Sequence, residues 1–309
     1  MIIQTGNRTD IPAFYSEWFA NRLKEGYVLV RNPFNPISVT RYRLDPSVVD
    51  LIIFCSKNPA PMLKHMDLLR PYHQYWFVTI TPYGRDIEPN VPPCSKVMQT
   101  FKQFSEIVGP HNMCWRYDPI LIDSTWTVER HIKAFTSMCE TLAGHTHTAV
   151  ISFIDLYEKV KRNFPEARTV PMSAQLELTE AFVKVASKYD MIIKPCGESS
   201  RLSSVGADCS GCMTLETFET ATGENIILPP NPHNRKECAC YITGDIGTYN
   251  TCGHICRYCY ANADRDAVRR SMQQHDPHSP LLIGHVTQAD IIHEAKQVSW
   301  IDPQMRLRF

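Results

Sequence analysis

The sequence lacks the features that would place the protein in a membrane or on nucleic acid. No apolar run reaches the length that is needed to cross a bilayer, and the first residues lack the charged segment and apolar core of a secretory signal. The 32 Lys and Arg residues are balanced by 32 Asp and Glu residues, so net charge gives no support for a nucleic-acid partner. We therefore expect a cytoplasmic protein with no membrane partner.

Internal repeats and low-complexity segments are also absent, and the composition is not that of a disordered chain. The 309 residues, 43% of them hydrophobic, suffice for one large α/β domain or a domain with an appendage. Cysteine, in contrast, is abundant, and eight of the 12 cysteines follow residue 195. Because the cytosol keeps thiols reduced, metal ligation explains these cysteines better than disulfide bonds do.

Up to about residue 195, short β-rich apolar runs alternate with longer helical patterns, which is typical of βα units around a parallel sheet. Six strands are predicted, at residues 2–5, 50–55, 75–80, 112–117, 148–153 and 191–194. Helices are predicted at residues 11–24, 61–70, 96–108, 128–142 and 174–189. Residues 26–43 are predicted to form a β-hairpin inserted in the first unit.

Six βα units are suited to a partial barrel, because eight units would close the full one. The alternation ends after residue 196, and a segment so poor in periodic apolar positions needs something other than a hydrophobic core to hold it, for which a metal cluster would serve. We therefore predict an α/β fold in which residues 1–195 form a partial (β/α)6 TIM-like barrel. Residues 196–309 are predicted to form a cysteine-rich, cluster-binding region that folds back on the barrel, with helices at 264–274 and 288–296.

Residues 249–262 contain three cysteines, Cys252, Cys256 and Cys259, in the spacing C-x3-C-x2-C. Three thiolates on one short loop can bind three irons of a 4Fe-4S cluster and leave the fourth iron free to bind a small molecule. The same cysteines also fit a structural zinc site or unconnected thiols. The loop therefore predicts a metal centre, with an iron-sulfur cluster as the first hypothesis.

This spacing, with Tyr258 directly before the third cysteine, resembles the signature of radical S-adenosylmethionine (radical SAM) enzymes. The resemblance implies that the open iron binds the methionine moiety of S-adenosyl-L-methionine and that one electron from the cluster cleaves it to a 5'-deoxyadenosyl radical. It also implies that Tyr258 packs near the adenine and that a protein such as flavodoxin or ferredoxin donates the electron.

Polar residues follow the predicted strands, at the edge of parallel βα folds that hosts the chemistry. Such a cleft, lined by Arg, Lys and Asp, can hold the carboxylate, ammonium and ribose hydroxyls of a cofactor. We select Arg116, Asp118, Ser152 and Asp155 as cofactor contacts and Lys57 as a ligand of the carboxylate or the substrate. Lys57 and Arg116 are the candidate catalytic residues, and ordinary caps and surface ion pairs are the alternative.

Nearly the whole chain resembles a family known only as a domain of unknown function, DUF1848. The resemblance is carried by residues 8–15, 56–59, 81–84, 88–90, 115–120 and 151–155 and by the terminal cysteine loop. Parts of the predicted barrel, at residues 57–59 and 115–119, are similar to spore photoproduct lyase, a radical SAM enzyme that repairs thymine dimers. This second likeness is weaker and does not transfer the substrate.

Four further cysteines occupy positions similar to those of the family: Cys196, Cys212, Cys238 and Cys240. Four thiolates can ligate a second 4Fe-4S cluster completely, and they can equally bind zinc. Cys209 precedes Cys212 in a C-x2-C pair and can replace one of the four. The last four cysteines, Cys55, Cys94, Cys114 and Cys139, are interpreted as small hydrophobic residues of the barrel.

The sequence thus predicts an iron-sulfur protein, and specifically an atypical radical SAM enzyme that acts on an unknown substrate. Two alternatives stay open. The first is a non-catalytic zinc or iron-sulfur binding module, such as a redox sensor or a nucleic-acid partner. The second is a DNA-repair lyase, which only the similarity to spore photoproduct lyase suggests.

Overall fold

Seven parallel strands form the central sheet of the computed structural model, which describes residues 1–230, 238, 240–241 and 244–304. The strands of this part of the chain are β1 (Ile2–Gln4), β2 (Tyr27–Arg31), β3 (Ser38–Arg43), β4 (Leu51–Ser56), β5 (Gln74–Thr79), β6 (Met113–Ile120), β7 (Thr148–Phe153), β8 (Ile192–Pro195), β9 (Gly244–Asp245) and β10 (Ile291–Glu294). Their order in the large sheet is β8-β7-β6-β5-β4-β1-β9. The six predicted strands of the βα units are therefore confirmed, and they lie side by side in chain order.

The strands are connected mainly by helices, as a parallel sheet requires. The α-helices of the described residues are α1 (Ile11–Phe14), α2 (Ser16–Glu25), α3 (Met66–Leu69), α4 (Cys94–Val108), α5 (Val128–Leu142), α6 (Glu158–Asn163), α7 (Met172–Ala186), α8 (Leu215–Thr222) and α9 (Arg265–Gln273). Short 3-10 helices span Ala60–His65, Pro110–Asn112, Ser187–Tyr189 and Ser200–Val205. None of the helices in these residues has the length and apolar character that crossing a membrane demands.

A smaller sheet of three strands has the order β10-β3-β2. Strands β2 and β3 pair antiparallel, which confirms the predicted hairpin. The predicted helix over 288–296 is wrong, because residues Ile291–Glu294 form β10 and pair in parallel with β3. The edge of β3 offers unpaired backbone groups, and extended Ile291 and Ile292 satisfy them better than a short exposed helix would.

Aromatic side chains fill the space between the large sheet and helices α5 and α7. Trp115 of β6 stacks on Phe135 of α5 with 4.7 Å between ring centroids, and Phe135 stacks on Phe182 of α7 at 4.0 Å. All three side chains are buried. Because α5 also buries His131, Cys139 and other residues of the same helix face, its apolar stripe fixes the helix against the sheet.

The start of α5 depends on Thr127, whose hydroxyl oxygen accepts a hydrogen bond from the Arg130 amide at 3.2 Å. We expect Thr127→Ala to lower the free energy of unfolding by about 1 kcal/mol, because one amide of the first turn loses its acceptor. Urea unfolding monitored by circular dichroism measures this change. Thr127→Ser keeps the hydroxyl and is expected to restore most of the loss, whereas equal losses for both variants would contradict a capping role.

Candidate functional site

A cavity of about 580 Å³ lies at the carboxyl ends of the parallel strands. Its wall brings together every residue that the sequence predicts for the site: Lys57, Arg116, Asp118, Ser152, Asp155, Cys196, Cys212, Cys238, Cys240, Cys252, Cys256, Tyr258 and Cys259. Parallel strands place their carboxyl ends at one edge of the sheet, so residues distant in sequence meet there. The structure thus assembles the predicted residues in one place, while their chemical roles stay predictions.

The loop of residues 249–262 reaches this cavity although it follows the last long strand by more than fifty residues. The loop is closed by its own contacts, including a hydrogen bond from the Asn262 side chain to the Cys252 carbonyl oxygen at 2.9 Å. It is attached to the domain by the Tyr15 hydroxyl, which donates to the Thr251 carbonyl at 2.6 Å. Gly253 allows a close approach to Phe14, because a Cβ atom at this position would lie 2.7 Å from the ring.

Asp10 fixes the middle of the cysteine loop to the sheet edge. One carboxylate oxygen lies 2.9 Å from His254 Nε2 and accepts a hydrogen bond from the Lys57 amide at 2.7 Å. The other oxygen accepts from the Ala13 amide at 3.0 Å and caps α1. Asp10 and His254 are 4% and 2% exposed. The carboxylate therefore connects the ends of two strands to the segment between Cys252 and Cys256.

Glu88 organises a second set of contacts around Tyr258 and Lys57. Its carboxylate accepts hydrogen bonds from the Tyr258 hydroxyl, from Thr81 at 2.6 Å and from the Lys57 ammonium at 2.9 Å. Burial raises the pKa of Glu88, but Lys57 and these hydrogen bonds outweigh burial and lower it overall. Burial lowers the pKa of Lys57, yet Glu88 and Cys256 raise it above its usual value. Lys57 is thus a paired ammonium ion, 5.5 Å from the centre of the Tyr258 ring.

Arg116, Asp118 and Ser152 form a connected row on strands β6 and β7. Arg116 donates to one oxygen of Asp118, with 3.1 Å for the Nε contact, and Ser152 donates to the other oxygen. Glu198, one of the polar residues that follow the predicted strands but not a selected site residue, accepts from the Phe153 amide at 2.7 Å. Burial, opposed by this hydrogen bond, raises the pKa of Glu198 to about 8. The row places charge and hydroxyl groups on the cavity wall beside Asp155.

Three of the four cysteines that the sequence suggests for a second metal centre form a tight group that can hold a metal ion. The Sγ atoms of Cys196, Cys212 and Cys240 all lie within 4.8 Å of one another. Cys212 Sγ is 3.2 Å from Cys240 Sγ and 3.7 Å from Cys196 Sγ. Hydrogen bonds from the other two thiols, together with Arg116, hold the pKa of Cys196 well below its usual value although burial opposes this.

Cys238 and Cys209 differ in their relation to this group. Cys238 lines the same cavity but does not belong to the set of three. Cys209 does not line the cavity, and its thiol points to the carbonyl oxygen of Ala207 at 3.9 Å. The geometry therefore leaves Cys209 apart from the candidate ligands.

Burial is the main influence on the thiols of the loop, and it raises the pKa of Cys252, Cys256 and Cys259 above the usual range. Nearby carboxylates add to the effect: Asp10 for Cys252 and Glu88 for Cys256. Unlike the group at Cys212, the three loop sulfurs do not all lie within 4.8 Å of one another. A metal ion or cluster that binds at the loop would therefore have to displace the proton of each thiol, and the three sulfurs do not form one close group.

The interpretation of Cys55 as a plain core residue needs correction. Cys114 and Cys139 are buried in the core as expected, but Cys55 is half-buried and lines the cavity. Gly6 lies against it, and a Cβ atom at Gly6 would be 2.4 Å from Cys55 Cβ. The chain just after the first strand can therefore pass directly beside the backbone of Cys55 only because residue 6 has no side chain.

A family model described as a domain of unknown function (DUF1848) matches residues 2–261. The chain belongs to this family. The DUF1848 match ends at Ala261, after the third cysteine of the loop, so all the predicted site residues on the cavity wall lie within the matched range. Neither a curated protein nor a solved structure is significantly similar to the chain.

Asp245 is a buried carboxyl of this DUF1848 site that the sequence did not reveal. It lies 3.3 Å from Arg8 and accepts a hydrogen bond from the Gly247 amide at 3.0 Å. Burial nevertheless raises its pKa from 3.8 to about 6. Between these values the folded protein binds more protons than the unfolded chain, so stability falls as the pH rises through this range.

We expect Asp245→Asn to remove this pH dependence. The variant should be more stable than the parent by roughly 1–2 kcal/mol at pH 8 and show no such gain at pH 4, because the amide never ionises. Urea unfolding at both pH values measures the difference. A gain of equal size at both pH values would show that ionisation of Asp245 is not the cause.

Proposed function

We propose that this protein is an atypical radical SAM enzyme with a 4Fe-4S cluster on Cys252, Cys256 and Cys259. The observation that carries the proposal is the shared cavity. The three loop thiols face it together with cationic, carboxylate and hydroxyl groups from the carboxyl ends of the strands. A cofactor that bears ammonium, carboxylate and ribose groups needs such a mixture of partners.

The spacing of the loop sulfurs supports a cluster over a single ion. In a 4Fe-4S cluster each thiolate binds a different iron, so the sulfurs stand further apart than on one ion. The loop thiols, which do not all lie within 4.8 Å of one another, fit this requirement. Contacts from Asp10, Tyr15 and Asn262 hold the loop in place, so the ligands are positioned by the protein before any cluster binds.

When bound, the reduced cluster supplies the electron that cleaves S-adenosyl-L-methionine, and flavodoxin or ferredoxin is the proposed class of donor. Within this proposal Tyr258 packs near the adenine, with its hydroxyl fixed by Glu88. Arg116, Asp118, Ser152 and Asp155 bind the polar groups of the cofactor. Lys57 provides a positive charge for the carboxylate or the substrate, and Glu88 keeps its ammonium group in place.

The proposal extends to the fold and to the place of the protein in the cell. We interpret the sheet as a partial (β/α)6 barrel over residues 1–195, which is supported by six parallel strands in chain order. Residues 196–309 then form the cysteine-rich region that folds back on it, as the contacts of the loop with Asp10 and Tyr15 suggest. A cytoplasmic location is part of the same proposal.

The proposal is tested by anaerobic purification of the full chain with iron, sulfide and zinc quantified. The protein is then reduced with dithionite in the presence of S-adenosylmethionine, and 5'-deoxyadenosine is measured by chromatography. We expect iron and sulfide together with formation of 5'-deoxyadenosine. Iron and sulfide in full amount with no cleavage of S-adenosylmethionine would reject the enzyme and favour a non-catalytic module.

A non-catalytic metal-binding module is favoured by one observation, the tight group of Cys196, Cys212 and Cys240. Such a group can bind a metal and stabilise the late part of the chain without any reaction. This function predicts zinc without sulfide in the purified protein.

A further inference from the structure

The two groups of cysteines on the cavity wall differ in how closely their sulfurs approach one another. Two thiolates bound at 2.3 Å to one tetrahedral zinc ion lie roughly 3.8 Å apart. The separations at Cys212 are 3.2 Å and 3.7 Å, so neither exceeds the spacing of two thiolates on one ion. Thiolates on different irons of a cluster would have to lie further apart. The group of Cys196, Cys212 and Cys240 therefore matches one ion and not a second cluster.

The fourth ligand is the next question, because zinc in proteins is four-coordinate in most sites. The three sulfurs face the large cavity, and Cys238 lines that cavity without joining the close group. Three protein ligands with one position free is the arrangement of reactive zinc sites, whereas structural sites are closed by four. Within the described residues, no fourth protein ligand closes the group on the side that faces the cavity.

The chemistry of the ligand set favours an incoming sulfur ligand. A divalent ion with three thiolates carries one net negative charge, and the Arg116 guanidinium, which pairs with Asp118, lines the same cavity. A cation that is already bound by thiolates prefers a further soft donor. A thiol binds such an ion as its thiolate and releases its proton to water, so no oxidant or reductant is needed.

We infer that Cys196, Cys212 and Cys240 hold a single zinc-type divalent ion whose fourth position is open to the cavity and binds the thiol of a small molecule. The site is independent of S-adenosylmethionine cleavage. If the proposed function also holds, a thiol bound here occupies the same cavity as the cluster, so the substrate class of the enzyme is a small thiol compound.

The first experiment separates the two metal centres in the full chain. The variant Cys252→Ser/Cys256→Ser/Cys259→Ser, purified anaerobically, is expected to keep about one zinc per chain and no sulfide. Adding Cys212→Ser should remove most of this zinc, whereas adding Cys94→Ser, at a thiol that does not line the cavity, should not. Iron with sulfide that persists in the triple variant and is lost with Cys212→Ser would overturn the single-ion site.

The second experiment tests the open position with cobalt in place of zinc in the triple variant. Addition of 2-mercaptoethanol is expected to shift the visible d–d bands of cobalt, and Cys238→Ser should leave both the starting bands and the shift unchanged. Cobalt bands that do not shift on addition of the thiol but change with Cys238→Ser would show a closed site of four cysteines. That result would overturn the open position.

Zinc-edge X-ray absorption on the parent protein keeps the inference testable if the variants fail to fold. Three sulfur ligands and one lighter ligand at the zinc, replaced by four sulfurs when 2-mercaptoethanol is added, are expected. Four sulfurs before addition would contradict the open site. Because this measurement does not depend on 5'-deoxyadenosine, failure of the radical reaction and failure of the zinc site give different results.

Discussion

Cys256→Ala is expected to lower the formation of 5'-deoxyadenosine by more than about 100-fold, because a cluster that loses one of three thiolate ligands is neither held nor positioned. Cys256 is the central thiol of the loop, and its surroundings include Glu88 and Lys57. Iron content should fall in parallel with activity. The measurement combines iron and sulfide analysis with chromatography of the reaction after dithionite reduction.

A matched control for this variant is Cys94→Ala. Cys94 is a half-buried thiol at the first residue of α4 and does not line the cavity. We expect it to keep iron, sulfide and activity near the parent values. Full activity in Cys256→Ala would refute the proposed role of the loop, and equal loss in both variants would point to general damage of the fold.

Asp10→Ala is expected to destabilise the protein by about 3 kcal/mol or more, since it leaves several buried donors without an acceptor. The Lys57 amide, the Ala13 amide and His254 all lose their carboxylate partner. The effect should also reach the metal centre, because His254 lies between two cysteines of the loop. Urea unfolding measures the stability, and iron per chain after anaerobic purification measures the effect on the loop.

Two further variants show whether the buried contacts are responsible. Asp10→Asn keeps one oxygen acceptor and is expected to lose less stability than the alanine variant. Asp45→Ala removes an aspartate whose carboxylate accepts from the exposed residue Ser47, with its amide at 2.9 Å, so it should cost far less. An unfolding midpoint of Asp10→Ala equal to that of Asp45→Ala would contradict the role given to Asp10.

The fold was predictable where local pattern decides the structure. Helix α5 and strand β7 have the predicted bounds, because their apolar residues recur with the period of a helix or form a buried run. Strand β6 continues to Ile120, beyond the predicted end, since Ile120 still pairs with Phe153 after a shift in register. Strand β10 could not be predicted, because its conformation depends on the edge of β3, about 250 residues earlier in the chain.

The candidate site also has parts that could be predicted from the sequence and parts that could not. The candidate cysteine ligands could be selected because a short segment contains them at a spacing typical of metal sites. Asp10 and Glu88 lie in stretches that the sequence singled out, but their contacts could not be predicted, because these form only when the loop arrives from the far end of the sequence. Cys209 shows the limit of spacing: it forms a C-x2-C pair with Cys212, yet only Cys212 lines the cavity.

The pairing of β9 with β1 sets an order for assembly of the chain during synthesis. Residues Gly244 and Asp245 cover the edge of β1, which is synthesised about 240 residues earlier in the chain. Until these late residues emerge, the first strand presents unpaired backbone groups that other chains can bind. The cysteine loop emerges only a few residues later, so the metal centre that we propose for the loop can form only after the sheet is complete. The growing chain is therefore most exposed to aggregation before the proposed metal centre can form.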